Sequence, residues 1–312
     1  MTRSRREASE ARPPSGEQIE IAHADQRAVV VEVGAGLRTY SAAGRELLEG
    51  YGLDQMSSSG RGQVLIPWPN RIRDGSYEFE GRRHQLPIDD VEERDAIHGL
   101  VRWDEWMVGE RKPQRVVMEH EIHPQPGYPF QLAVSVEYAL SDEGLRVTTT
   151  ATNVGPDPCP YGCGAHPYLR LGSGPIDSLV LCVPARTVLW SDERGIPVRS
   201  GPVEGTEFDF RRPRPIGATR LDNAFTRLER DEAELARVSL EDPEGGDKLT
   251  LWVDGTYGYL MIFTGDQPSD VGRRAVAVEP MSCPPNAFQT GEALIRLEPG
   301  QSFRSAWGIR PA

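Results

Sequence analysis

His166 and Glu279 are among the side chains whose types and settings could move a proton. His166 lies in Tyr161-Gly162-Cys163-Gly164-Ala165-His166-Pro167-Tyr168, a loop shaped by glycines and a proline. Pro167 biases the residue before it toward extended backbone. Such a loop can aim an imidazole into a pocket, where it serves as acid and base near neutrality, or hold it for a local hydrogen bond. Glu279 ends the apolar run Val276-Ala277-Val278 and leads into Pro280-Met281-Ser282-Cys283-Pro284-Pro285-Asn286. A carboxylate at that exit is either a positioned base or a rim group whose charge stays in water. Asp222, in Leu221-Asp222-Asn223-Ala224-Phe225, offers the same two readings, and Asp-Asn is also an ordinary turn pair.

Other side chains suit binding. Asn70-Arg71-Ile72 follows Pro67-Trp68-Pro69, and the five guanidinium donors of Arg71 can clamp hydroxyls, orient a carboxylate or form a surface ion pair. His98 sits in Ala96-Ile97-His98-Gly99-Leu100, between a charged loop and a strand. Trp68, Trp103, Trp106 and Tyr168 can offer apolar platforms or core packing. A metal site is not expected: His120-Glu121-Ile122-His123 lacks the His-Glu-x-x-His spacing, and Cys159 and Cys163 have no second cysteine pair. Serine hydrolysis has no Gly-x-Ser-x-Gly elbow to support it.

The elements that must position these groups are strands. Val29–Val33, Arg115–Ile122, Gln131–Leu140, Leu145–Thr150, Ser178–Val183, Ala236–Leu240, Lys248–Val253, Tyr259–Phe263 and Ala275–Glu279 are alternating or β-branched apolar runs. Glu80-Gly81-Arg82 and Ser141-Asp142-Glu143-Gly144 read as hairpin turns, and Pro299-Gly300 as the turn of a final hairpin. No long apolar stripe with helical period, βαβ rhythm or complete Gly-x-Gly-x-x-Gly motif appears, so no nucleotide cofactor is expected. Thirty-two Gly and 26 Pro suit a turn-rich fold. The expected architecture is all-β: one large antiparallel β-sandwich over residues 18–312, after a disordered leader over 1–17. Gly195–Pro215 is expected as a peripheral excursion.

The formal net charge of −12 opposes a nucleic-acid partner. Met1–Glu17 is polar and Arg-rich, without the apolar core of a signal peptide, and no stretch reaches membrane-spanning length. Cytoplasmic location is the expectation, with no membrane partner. The four cysteines, Cys159, Cys163, Cys182 and Cys283, are too few for a disulfide scaffold and read as free thiols. Edge strands of a sandwich can pair with a partner or be shielded by charge, so the sequence specifies no oligomeric state.

Taken together, Asn70-Arg71-Ile72 with Gly75 and Phe79, His98-Gly99-Leu100, Gly127-Tyr128-Pro129-Phe130, His166-Pro167-Tyr168, Leu221–Phe225, Val278-Glu279-Pro280 and Asn286-Ala287-Phe288 resemble the aldose 1-epimerase (galactose mutarotase) family. The matching segments cover most of the chain from about residue 60. The resemblance implies a galactose mutarotase-like supersandwich with an open carbohydrate cleft. It also implies His166 as catalytic acid and Glu279 as catalytic base. Arg71, His98 and Asp222 match sugar-binding positions, and Asn70 and Tyr168 join them as substrate-binding candidates. The implied reaction is opening and reclosure of an aldose ring, with a monosaccharide as partner and no metal or redox cofactor. Leu169-Arg170-Leu171-Gly172 and Cys283-Pro284-Pro285 depart from the family pattern, which leaves sugar preference open. The rival expectations are a mutarotase for an anionic or phosphorylated sugar and a non-catalytic carbohydrate sensor on the same fold.

Overall fold

Strict alternation of buried and half-exposed side chains along Leu132–Ser141 shows how this sequence makes sheet. Side chains of a strand point to opposite faces in turn, so Leu132, Val134, Val136, Tyr138 and Leu140 all enter the core. The computed structural model describes residues 12–266 and 271–312. Two large antiparallel sheets dominate. The nine-stranded sheet runs, in spatial order, Met107–Lys112, Arg115–Ile122, Leu132–Ser141, Gly144–Asn153, Ser302–Pro311, Lys248–Val253, Ala236–Glu241, Val180–Cys182 and Arg214–Pro215. The eight-stranded sheet runs Pro197–Pro202, Ala185–Ser191, Asp222–Leu228, Tyr259–Phe263, Val276–Met281, Gly164–Ala165 and Val64–Leu65, with Tyr168–Leu169 also pairing to Val276–Met281.

One apolar cluster draws Val134, Val136, Val147 and Leu251 from the first sheet and Val188, Phe225, Ile262, Val276 and Val278 from the second. Burial of facing apolar surfaces is what holds two such layers together. A separate small cluster of Leu189, Ala224, Tyr259, Met261 and Met281 lies on the other face of the eight-stranded sheet. That sheet is therefore apolar on both sides along its centre, and its second face floors a cleft. A four-stranded sheet begins the described chain, starting at Gln18–His23. The one α-helix among the described residues is the single turn Ala287–Thr290. None of their helices is long and apolar enough to cross a membrane.

The expected hairpins at Glu80-Gly81 and Ser141–Gly144 form as read. Three expectations need correction. Residues 1–11 of the leader lie outside the described residues, but 12–17 are docked rather than loose. Arg12 pairs with Glu32 at 2.7 Å, the Glu17 N–H donates to Glu32, and Ser15 is fully buried. The chain after Leu297 does not fold back as a hairpin. Ile295–Leu297 pairs with Cys159–Tyr161, whereas Ser302–Pro311 inserts between Gly144–Asn153 and Lys248–Val253. Gly195–Pro215 is not wholly peripheral, because Pro197–Pro202 supplies an edge strand of the cleft sheet. The four cysteines carry free thiols.

Candidate active site

Register places Glu279. In Val276–Met281, Val276 and Val278 face the inter-sheet core, so alternation turns Ala277, Glu279 and Met281 to the cleft face. Met261 pairs with Glu279 on the adjacent strand, and Ala224 pairs with Met261 beyond it. His166 arrives from the other side of the same strand. Gly164 pairs with Met281 and Tyr168 with Ala277, so the bend between them, 165–167, lies opposite Glu279. The backbone of His166 is fixed by its N–H to the Gln63 carbonyl and by its own carbonyl to the Gly62 N–H.

The two side chains meet at 3.4 Å, His166 Nε2 to Glu279 Oε1, with 7% and 3% of their surfaces exposed. Burial, helped by the Arg102 charge, pushes the His166 pKa down to about 3, and burial holds the Glu279 carboxyl well above the usual range. The negative charge of Asp222 raises Glu279 further, and the Arg71 guanidinium opposes both effects. Loss of hydration disfavours the charged form of each group, which favours a neutral imidazole beside a neutral carboxyl over the ion pair. His166 Nδ1 and Glu279 Oε2 are buried without a hydrogen-bond partner among the described residues.

Tyr168 supports this pair from behind. Its ring stacks on His166 at 5.0 Å between centroids and an interplanar angle of 16°, and its hydroxyl donates to the Ser59 carbonyl at 2.9 Å. Gly60 covers the imidazole edge. Its φ of +74° is a backbone conformation that side-chain-bearing residues rarely adopt, and a Cβ there would lie 2.5 Å from His166 Cδ2.

His98 stands beside His166, ring centroids 5.3 Å apart. Its Nδ1 accepts the Asn70 backbone N–H at 3.2 Å, and its own N–H donates to the Asn70 carbonyl at 2.9 Å. Burial and the nearby His166, Arg102 and Arg71 charges keep it neutral. A neutral imidazole whose Nδ1 accepts must carry its proton on Nε2, so His98 is a fixed hydrogen-bond donor. Asn70 itself is buried, and its Oδ1 accepts the Arg71 backbone N–H. It therefore organises its neighbours. Arg71 Nε donates to Asp90 at 2.8 Å, and Gly195 packs close against its guanidinium. Asp222 keeps an exposed surface within the enclosing cleft walls, and that enclosure raises its pKa while Arg71 lowers it.

All seven candidates, His166, Glu279, Arg71, His98, Asp222, Asn70 and Tyr168, line one cleft of about 870 Å³. Trp68 and Trp106 do not serve as platforms, being packed in the core at 2% exposure. Trp103 does face the cleft. Sequence reasoning missed Asp90, Arg102, Trp190 and Arg194, which also line it. Arg194 bonds the Glu93 carbonyl at 2.7 Å, Asp74 at 2.9 Å and Asp95 at 2.5 Å, tying its own turn to the loop that carries Asp90. The only signal for these groups was charge density in two loops, which a solvated surface shares.

The two packed antiparallel sheets with a cleft over one of them form a galactose mutarotase-like β-sandwich. Solved structures agree on the fold. The GalM/aldose epimerase homologue of C. elegans superposes with a TM-score of 0.84 at 18% identity, covering 95% of this chain and 98% of that one. Galactose 1-epimerase from Lactobacillus acidophilus NCFM gives 0.80 at 21% identity, covering 98% and 97%. The family model for aldose 1-epimerase matches residues 17–310, and the chain belongs to that family. The uncharacterised protein YihR of Escherichia coli (strain K12) is 34% identical over 296 residues, 95% of this chain and 93% of its own. Human galactose mutarotase is 32% identical over 163 residues, 50% of this chain and 46% of its own.

Proposed function

We propose that this protein is an aldose 1-epimerase, interconverting the α and β anomers of a hexose such as glucose or galactose in the cytoplasm without a cofactor. The observation that carries the reading is the buried His166–Glu279 contact at 3.4 Å on the cleft floor. Ring opening needs a proton removed from the C1 hydroxyl and a proton delivered to the ring oxygen. Both oxygens are bonded to the same carbon, so acid and base must stand within a few ångströms of each other, as these two do.

Glu279 accepts the C1 hydroxyl proton and His166 protonates the ring oxygen. The C1–O5 bond breaks as the C1–O1 bond becomes the aldehyde. Rotation about C1–C2 presents the other face, and the reverse transfers close the ring as the other anomer. The neutral pair and the ion pair contain the same number of protons. Arg71 lowers the cost of ionised Glu279, and sugar hydroxyls add hydrogen bonds that the unpartnered Nδ1 and Oε2 lack. His98 Nε2–H, Arg71 and Asp222 would hold the remaining hydroxyls.

Magnetisation exchange between the anomeric protons, measured by NMR over a panel of aldoses, tests the reading. Exchange accelerated for glucose or galactose supports it. Acceleration confined to anionic hexoses would move the substrate class, and binding without acceleration on any sugar would leave a carbohydrate sensor.

A further inference from the structure

Away from the cleft, one buried carboxylate holds two guanidinium groups at once. Glu49 is 8% exposed. Its Oε2 accepts a hydrogen bond from Arg170 Nη1 at 2.7 Å, and its Oε1 accepts from Arg274 Nη2 at 2.9 Å and Nε at 3.2 Å. Such charge-assisted bonds fix both arms, because losing either leaves a buried charge short of its partner. The backbone reinforces the placement. Leu48 bridges Leu169, the Glu49 N–H donates to the Tyr168 carbonyl at 2.9 Å, and the Arg170 N–H donates to the Leu47 carbonyl at 3.0 Å. Residues 47–49 therefore flank Tyr168 and Leu169, which pair on their other side with Ala277 and Val276.

The two arms reach the two segments that carry the proposed acid and base. Arg170 lies four residues after His166, and Arg274 five residues before Glu279. Tyr168, whose ring stacks on His166, lies between Glu49 and the Glu279 strand. Glu49, Arg170 and Arg274 line a separate surface cavity of about 470 Å³, and none of the three lines the cleft. They are placed to act on the pair without touching a sugar. We infer that Glu49, through Arg170 and Arg274, is a positioning residue that sets the separation of the His166 and Glu279 segments. The inference rests on the mutarotase reading. It gives Arg170, in the departure Leu169-Arg170-Leu171-Gly172, a task at the site. A misplacement near 1 Å costs about 100-fold in rate, so a tie between acid and base segments acts on kcat and leaves sugar binding alone.

The test measures kcat and KM for anomer exchange over a panel of aldoses, beside thermal melting, in Glu49→Gln, Arg274→Met, Arg274→Lys and the Glu49→Gln/Arg274→Met double variant. Glutamine keeps the size of Glu49 but turns an NH2 group toward one of the two guanidinium groups. In folded protein, Glu49→Gln and Arg274→Met are each expected to lower kcat on the order of 10-fold, with KM within about twofold. The double variant should fall little below the weaker single one, since both changes break the same tie. Arg274→Lys should restore most of the loss. The Arg274 side chain is 44% exposed, so its variants carry the test if Glu49→Gln fails to fold. A lowered melting temperature with wild-type kcat would overturn the inference, as would losses that multiply in the double variant. No acceleration of any aldose by wild type would overturn the mutarotase reading and the inference with it.

Discussion

His166 Nε2 stands 3.4 Å from Glu279 Oε1 in a site where neither side chain is more than 7% exposed, so the two groups titrate as one unit. Burial lowers the histidine to about 3 and raises the carboxyl well above its usual range. The active, one-proton form of the pair therefore spans an unusually wide pH range. After subtraction of the spontaneous rate, kcat/KM is expected to stay flat well below pH 6.5, the ordinary histidine value, before falling as the pair takes a second proton. An acid limb centred near 6.5 would show that His166 titrates as an exposed imidazole.

The same shifts bear on stability. The folded chain keeps the Glu279 proton at pH values where the unfolded chain has released it. That contribution is complete below the ordinary value of 4.5 and is lost as pH rises through the folded value. Glutamine pays no such penalty, so Glu279→Gln is expected to melt a few degrees above wild type at pH 8, with the gap closing toward pH 4.5. For His166 the sign reverses. Its contribution is present above the unfolded value of 6.5 and lost as pH falls toward about 3, so His166→Asn gains on wild type across that acid window. Thermal scans of the two variants from pH 4 to 8 check both slopes, and parallel curves would contradict them.

Gly60 supplies a test of positioning without touching either catalytic group. A methyl there would lie 2.5 Å from the His166 ring, on a backbone with φ of +74°. Gly60→Ala is expected to displace the imidazole and lower kcat by about 100-fold, the cost of a misplacement near 1 Å. The fold should persist, as judged by circular dichroism. Full activity in a folded Gly60→Ala protein would show that the loop does not hold His166.

Arg194 ties its turn to the loop carrying Asp90, the carboxylate that holds Arg71. Arg194→Met should loosen the sugar-binding wall while leaving the cleft floor intact. KM is expected to rise about tenfold with kcat within about threefold, the pattern of lost uniform binding. A fall in kcat at constant KM would instead place Arg194 in the chemical step.

The strands of the nine-stranded sheet were legible because their alternation survives burial on one face, as in Leu132–Ser141. The Glu279 strand was legible as a strand, yet its six residues are all buried, so periodicity alone did not say which face met the cleft. His166 and Glu279 stood out through their loop chemistry, and the family resemblance gave them their expected roles. The long-range partners were not readable. Nothing local in Asp90 points to Arg71, or in Arg194 to Asp95, because those contacts depend on how distant loops are brought together. The final turn misled for a related reason: Pro299-Gly300 reverses the chain, but each flanking strand finds its partner elsewhere. Arg12–Glu17 misled by composition, since one buried serine and the Glu32 contacts are enough to dock a polar segment.

The most direct test of the central claim is the optical relaxation of freshly dissolved α-glucose and α-galactose with wild type, His166→Asn and Glu279→Gln in matched buffers. The account expects wild type to accelerate at least one of the two sugars. Each folded variant should lose about 100-fold or more of that acceleration, the scale of general acid–base catalysis. Near-wild-type acceleration by either variant would contradict the acid–base role assigned to that residue.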